Sequence, residues 1–377
     1  MVEWKKLGEV CEIKTGRGIT QKDCSEDGQY PVISGGQTPM GMYHQYNRES
    51  KTVTISRVGA YAGYVSFINE RFYLNDKCFS IIPFDNSVLN NKYLYSVLKG
   101  QEEIIQKLQS EGGVPTINTK KVGALSIPIP SLSEQQRIVS ILDTFTSSIS
   151  NLKQQIEERR KQYEYERDLL LDLEGKEGVE MKKLGEVGVF IRGNGIQKAD
   201  FVEEGYSCIH YGQIHARYGF SAKEAISKIE ESLYKKCKKA KTGDVILATT
   251  SEDAEGVAKP FVWLGEEDVA VSGDAFIYHH NQIGKFMGYQ FLTRKFMQFK
   301  VKYATGAKVV RISGDNMAKF EIPLPPLSTQ SRIVSILDTF EQSISNLEEQ
   351  LAMREKQYEY YRNQLLTFEG EEERGKT

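Results

Sequence analysis

Few side chains in this sequence are spaced to do covalent chemistry. The segment GEEERGKT (Gly370–Thr377) spells G-x-x-x-x-G-K-T, the pattern of a phosphate-cradling loop. Such a loop needs a strand before it and a helix after it, because the helix N-terminus helps to hold the anion. Here a helical pattern precedes it, and its three glutamates would repel phosphate, so an acidic tail is expected. His210 and His215 stand close together in HYGQIH, and His279 and His280 are adjacent. Neither pair has a cysteine or carboxylate at metal-ligand spacing, which points to ordinary loop histidines and no metal site. The Pro325–Pro326 pair sits in PLPPLS without the preceding Asn or Asp of a methyltransferase motif. Five scattered cysteines (Cys11, Cys24, Cys78, Cys208 and Cys237) form no CxxC and fit a reducing cytoplasm. No catalytic residue is expected.

The remaining polar side chains suit recognition. SGGQTPMG (Ser34–Gly41) and YGQIHARYG (Tyr211–Gly219) place Gln37, Thr38, Gln213, His215 and Arg217 among glycines. Glycine lets backbone approach a ligand, and these polar groups can read base edges. SRVGAYAG (Ser56–Gly63) offers Arg57 and Tyr61, with TTSEDAEG (Thr249–Gly256) as its counterpart. GGVPTINTKK and GAKVVRISGD offer Lys120, Lys121, Lys308 and Arg311. KKCKKAK (Lys235–Lys241) adds Lys236 and Lys239 as phosphate contacts, or as a solvated basic face.

These loops come in pairs because the chain is duplicated. Ser133–Gly175 and Ser328–Gly370 share 28 identities in 43 positions without a gap, including RIVSILDTF twice. The openings also match: EWKKLGEVCEIKTGRGI from Glu3 and EMKKLGEVGVFIRGNGI from Glu180. In the constant segment, apolar residues alternate steps of four and three, the seam of a helix that pairs with another. The first copy gives Ile138, Leu142, Phe145, Ile149, Leu152 and Ile156. The second gives Ile333, Leu337, Phe340, Ile344, Leu347 and Leu351. Ser133 with Gln136 is read as a capping box, and Gly175 and Gly370 as helix ends. The short linker EGKEGVE cannot return the chain along a helix of about 60 Å, so the pair must be antiparallel.

In the variable parts that precede each helix, KTVTIS, AGYVSFI, CFSIIPF, GDVILATT and GVAKPFVWLG read as strands, with helical stretches over Lys92–Gln109 and Gln282–Tyr303. The expected architecture is α+β: two β-rich domains, 1–131 and 176–326, separated by an antiparallel two-helix coiled coil with pseudo-two-fold symmetry. Its arms are 132–175 and 327–377, the latter including the acidic tail. The net charge is −2, but it divides unevenly. Residues 1–130 carry +2 and 176–326 carry +3, while the helical segments carry −3 and −4. No apolar run reaches the ~18 residues of a membrane span, so no membrane role is expected.

IPIPSLSEQQRIVSILD and IPLPPLSTQSRIVSILD, with the tandem KLGEV starts and the duplicated helices, make the chain resemble the specificity subunits of type I restriction–modification systems. One departure is Thr329-Gln330 where the first copy has Glu134-Gln135, expected to alter capping slightly. The resemblance implies two target recognition domains, each reading half of a bipartite, asymmetric site in double-stranded DNA. It also implies docking of two methyltransferase subunits, which bring S-adenosylmethionine, and of motor–nuclease restriction subunits. It places no cofactor and no catalysis on this chain. The competing expectation is a coiled-coil scaffold presenting two modules to other proteins, without DNA.

Overall fold

The KLGEV starts and the IPIP and IPLP segments, far apart in sequence, meet as strand pairs at the root of each half. In the computed structural model, which describes residues 2–110, 113–253, 255–306 and 310–368, Glu3–Lys6 pairs antiparallel with Ser126–Ile129. Glu180–Lys183 pairs in the same way with Glu321–Leu324. After each first strand comes one helical turn, Leu7–Val10 or Leu184–Val187, which buries Leu7 or Leu184 completely. The Lys6 and Lys183 amides donate to Glu9 and Glu186 at 3.0 and 2.9 Å, so the repeated glutamate caps the turn.

The chain forms two units. One comprises Met1–Gln154 with Glu348–Thr377, and the other Gln155–Leu347. The boundary therefore falls within the long helices, because both ends of each helix pack into globular cores.

In the first unit an antiparallel sheet runs in the order Cys11–Thr15, Cys78–Pro83, Thr52–Ser56, Val65–Ile68. β-branched residues fill its buried face, as in Thr52–Ser56, where every residue is buried. The helix Asn91–Gly100 covers it, started by Asn90, whose side chain accepts from the Lys92 and Tyr93 amides. A smaller sheet orders Met42–Tyr43, Tyr30–Ile33 and Tyr73–Leu74, the last two strands parallel. The second unit repeats the main sheet with Gly188–Arg192, Ala275–His280, Val245–Ala248 and Lys259–Trp263, and adds Ser221–Ala222 at its edge. Its smaller sheet has five strands and again contains a central parallel pair, Tyr206–Ile209 with Val269–Val271. The expected helical stretches are each interrupted once. Lys92–Gln109 becomes Asn91–Gly100 and Glu102–Gln106, and Gln282–Tyr303 becomes Gly284–Gln290 and Arg294–Tyr303. In the second case Thr293 breaks the run by capping the following helix through the Phe296 amide, at 3.2 Å.

Each long helix has 40 residues, Leu132–Leu171 and Leu327–Leu366, about 60 Å at 1.5 Å per residue. The first starts one residue before Ser133, with Ser131 Oγ accepting from the Glu134 amide at 3.4 Å, so Ser131 replaces the expected cap. Gly175 (φ +74°) lies four residues past the helix end, in the following turn, and Gly370 lies outside the described residues. In the first unit Phe145 stacks on Tyr361 (5.2 Å) and Lys153 pairs with Glu355 (2.9 Å). Residue numbers rise on one helix as they fall on the other, which makes the pairing antiparallel. In the second unit Tyr163 lies against Phe340 (6.4 Å) and donates to Glu341 at 3.2 Å.

Ile138 and Leu142 belong to the core of the first unit, against which Tyr358, Leu365 and Leu366 also pack. Ile333 and Leu337 do the same in the second, with Tyr163, Leu170 and Leu171. These four residues thus serve the domain and the helix pair together. Ile156 is buried, while Phe145, Ile149, Leu152, Phe340, Ile344, Leu347 and Leu351 are half-buried, as a two-helix seam leaves them. Among the described residues no helix is long and apolar enough to cross a membrane.

Candidate nucleic-acid interface

The main sheet determines which loops come together. In the first unit the loop after Thr52–Ser56 lies against the segment before the short helix Thr119–Gly123. Val58 bridges Thr116, the Ile117 amide donates to Arg57 O (2.8 Å), and the Gly59 amide to Pro115 O (3.0 Å). The loop after Tyr30–Ile33 joins them. A Cβ on Gly35 would stand 2.6 Å from Val58 O, and the Cys78 thiol donates to Ser34 O at 2.8 Å. The three loops singled out from sequence therefore form one crest. Gln37 and Thr38 are exposed on it, and Tyr61 is 47% exposed. Arg57 is more constrained, with its guanidinium over the Phe79 ring (5.6 Å) and Nη1 donating to Asp76 O (3.0 Å). Lys120 is exposed. Lys121 also ties down the turn after the helix Glu102–Gln106 by donating to Leu108 O at 2.9 Å.

The second unit builds the same crest from different side chains. Thr250–Ser251 pairs with Val310–Arg311, bringing Arg311 opposite Thr250. His215 Nε2 lies 3.1 Å from Thr250 O, and Lys259 Nζ donates to His215 O at 3.2 Å, which ties the 211–219 segment to this pair. Burial pushes the His215 imidazole down from its usual range, so near neutrality it is an uncharged hydrogen-bonding group. Arg217 and Arg311 are exposed. Gln213 is a correction: only 6% exposed, it donates to Ser227 Oγ at 2.6 Å and accepts from the His210 amide at 3.2 Å. Its polar atoms serve the Tyr211–Ala216 turn and do not face a ligand. Lys308 lies outside the described residues.

The lysine cluster sits elsewhere, along the edge strand Lys239–Ala240 of the smaller sheet. Lys236 is exposed, whereas Lys239 packs over Tyr234 (4.7 Å) and donates to Cys237 O. GEEERGKT lies outside the described residues. His279 is taken up by Asp244: its Nδ1 lies 2.5 Å from a carboxylate oxygen of that buried residue. Among the described residues no group of three or more His, Cys, Asp or Glu could hold a metal, and the five cysteines are free.

Two features of the halves escaped the sequence reading. The first is a buried glutamine at each helix start. Gln135 donates to Val88 O (2.8 Å) and Pro130 O (2.9 Å) and accepts from the Asn90 amide (2.9 Å). Gln330 donates to Pro325 O and Gln282 Oε1 (both 2.9 Å) and accepts from the Ile283 amide (3.2 Å). The Glu134/Thr329 difference lies one residue earlier, where only the first copy forms the Glu134–Arg137 pair (2.7 Å). The second is the charge at the crest: Lys77 in the first half, and Arg192 and Asp274 in the second. The aligned openings already set Thr15 against Arg192 and could have flagged that position.

The comparisons with known proteins agree with this duplicated plan. A family model described as the type I restriction modification DNA specificity domain matches residues 1–159 and 176–353. The type I restriction enzyme EcoR124I/EcoR124II specificity subunit of Escherichia coli is 28% identical over 388 residues, covering 97% of this chain and 94% of its own length. The type I restriction enzyme MjaVIII specificity subunit of Methanocaldococcus jannaschii is 24% identical over 396 residues, covering 97% and 92%. The crystal structure of the S subunit of a type I restriction–modification system from M. genitalium superposes with a TM-score of 0.63 at 16% identity, over 98% of this chain and 97% of that one, and so shares the fold. With a match in both halves, the chain belongs to the family of type I restriction–modification DNA specificity subunits.

Proposed function

We propose that this subunit reads a bipartite, asymmetric site in double-stranded DNA. One half-site is taken by the crest within residues 1–131 and the other by the crest within 176–326. The observation that carries this reading is the pair of crests: the same three loops on the same sheet, furnished with different side chains. One scaffold with two contact sets suits two different half-sites separated by unread base pairs. The match of a DNA specificity family to both halves favours this over a scaffold without DNA.

The two matching helices, alike at 28 of 43 aligned positions, supply two equivalent docking surfaces for two methyltransferase subunits. Catalysis and S-adenosylmethionine binding are left to those partners, and motor–nuclease subunits join for cleavage. The helix length fixes the unread spacer. Methylome sequencing of cells carrying the complete system tests the reading: two unlike half-sites with a constant gap are expected, and a continuous or palindromic target would contradict it. A four-residue insertion in one helix adds ~6 Å of helix, about two base pairs. An unchanged gap in that variant would sink the ruler.

A further inference from the structure

We propose that Asp274 is a base-discriminating residue of the second domain. It would select cytosine at one position of that half-site, while Arg192 beside it reads an adjoining guanine. This rests on the DNA-reading function above and extends it by naming a side chain and its base.

The pairing register locates both residues on the crest. Thr15 pairs with Phe79 in the first unit, and Arg192 pairs with Phe276 in the second, so Thr15 and Arg192 are equivalent. The next strands end in the pairs Ser56 with Cys78 and Ala248 with Ala275. One residue further, the Arg57 amide donates to Lys77 O (2.8 Å) and the Thr249 amide to Asp274 O (3.1 Å). Lys77 and Asp274 therefore occupy the same place with opposite charge.

Asp274 borders an open depression whose wall includes Arg192, Thr250 and Arg311. Its side chain is 35% exposed, and among the described residues its carboxylate accepts no hydrogen bond. Arg192 Nη2 stands 3.7 Å from Oδ1, close enough to pair electrostatically but beyond hydrogen-bonding range. The guanidinium is held instead by Nε donating to Gly273 O at 2.8 Å and stays 66% exposed. A carboxylate with open acceptors beside a tethered guanidinium presents the groups that suit a cytosine N4 amine and a guanine O6/N7 edge. Arg192 ties its strand to Gly273, but the Asp274 carboxylate makes no hydrogen bond to the fold among the described residues. Lys77, having only donors, cannot accept from cytosine, so the equivalent position in the first domain must read differently.

The test uses the complete methyltransferase complex on a randomised DNA library, reading which sites are methylated. The wild type should prefer C·G over A·T at one position of one half-site by on the order of tenfold or more. The isosteric Asp274→Asn should shift that position toward A·T, since an asparagine amide matches adenine N6/N7, and leave the other half-site unchanged. Lys77→Gln should alter the opposite half-site only. An Asp274→Asn complex with the wild-type preference overturns the inference and leaves DNA reading intact. So does one weakened equally on all sequences. A wild-type complex that methylates without sequence preference overturns DNA reading itself.

Discussion

Within each half, the root and the crest have been treated differently. At the root the same residues make the same contacts twice. Ile138 and Ile333 enter the core, Gln135 and Gln330 bind the starts of the helices Asn91–Gly100 and Gly284–Gln290, and Asp143 and Asp338 pair with Lys92 and Lys285 at 2.6 and 2.8 Å. At the crest, Thr15, Arg57 and Lys77 stand where the second half has Arg192, Thr249 and Asp274. Packing accounts for the contrast. A core position tolerates little change of volume, whereas an exposed loop on a rigid sheet accepts most side chains. Duplicated sequence therefore marks where both halves must satisfy one geometry.

Substitutions at the root should have the largest effect. Ile138→Ala and Ile333→Ala should each cost roughly 3 kcal/mol, because both sites are fully packed. Hydrogen exchange in strands 78–83 and 275–280 would resolve the two losses separately. A loss below about 1 kcal/mol at one site would show that the roots are not equivalent. Gln135→Met and Gln330→Met should follow at about 2 kcal/mol each, since each leaves a part-buried amide and a buried carbonyl without a partner.

Acid should separate the halves. Burial pushes the His280 imidazole down to about 4 from 6.5, while Pro83 holds the equivalent strand position in the first half. Between pH 6.5 and 4 the unfolded chain holds the extra proton, so stability falls as the pH falls through that window. A loss of about 3 kcal/mol is expected in the 275–280 strand and not in 78–83, and His280→Gln should remove most of it. Equal acid sensitivity of both strands in the wild type would contradict this.

The smallest effect sharpens the match between the two ion pairs. Asp338→Asn should cost about 1 kcal/mol and Asp143→Asn about half that. Lys285 is the better buried lysine, and Tyr289 also donates to Asp338 at 3.1 Å. Equal thermal shifts for the two variants would mean that burial does not distinguish them.

The sequence made the root legible and the crest only partly so. The heptad spacing of apolar residues in two matching segments, with Gly and Pro punctuation around them, predicted the helices, and the short linker between the halves predicted their antiparallel pairing. The β-branched runs located the strands. Gln213 was misread because a glutamine among glycines looks like a contact residue, and only the fold shows it turned inward to Ser227. Arg192 and Asp274 went unnoticed because their proximity depends on cross-strand register between segments about 80 residues apart, which no local pattern encodes. The buried Gln135 and Gln330 were hidden for a related reason: a polar residue on a helix reads as solvated until its three partners, from other segments, are in place.

The position of the unit boundary has a consequence for the integrity of the molecule. A single cut in the linker Glu174–Val179 would divide the backbone into two polypeptides, yet neither would own a complete core. The first unit draws Tyr358, Leu365 and Leu366 from the later fragment, and the second draws Tyr163, Leu170 and Leu171 from the earlier one. Each fragment is the other's missing part, so a nicked molecule should hold together by packing alone, with its peptide linker serving as a tether and not as a seam.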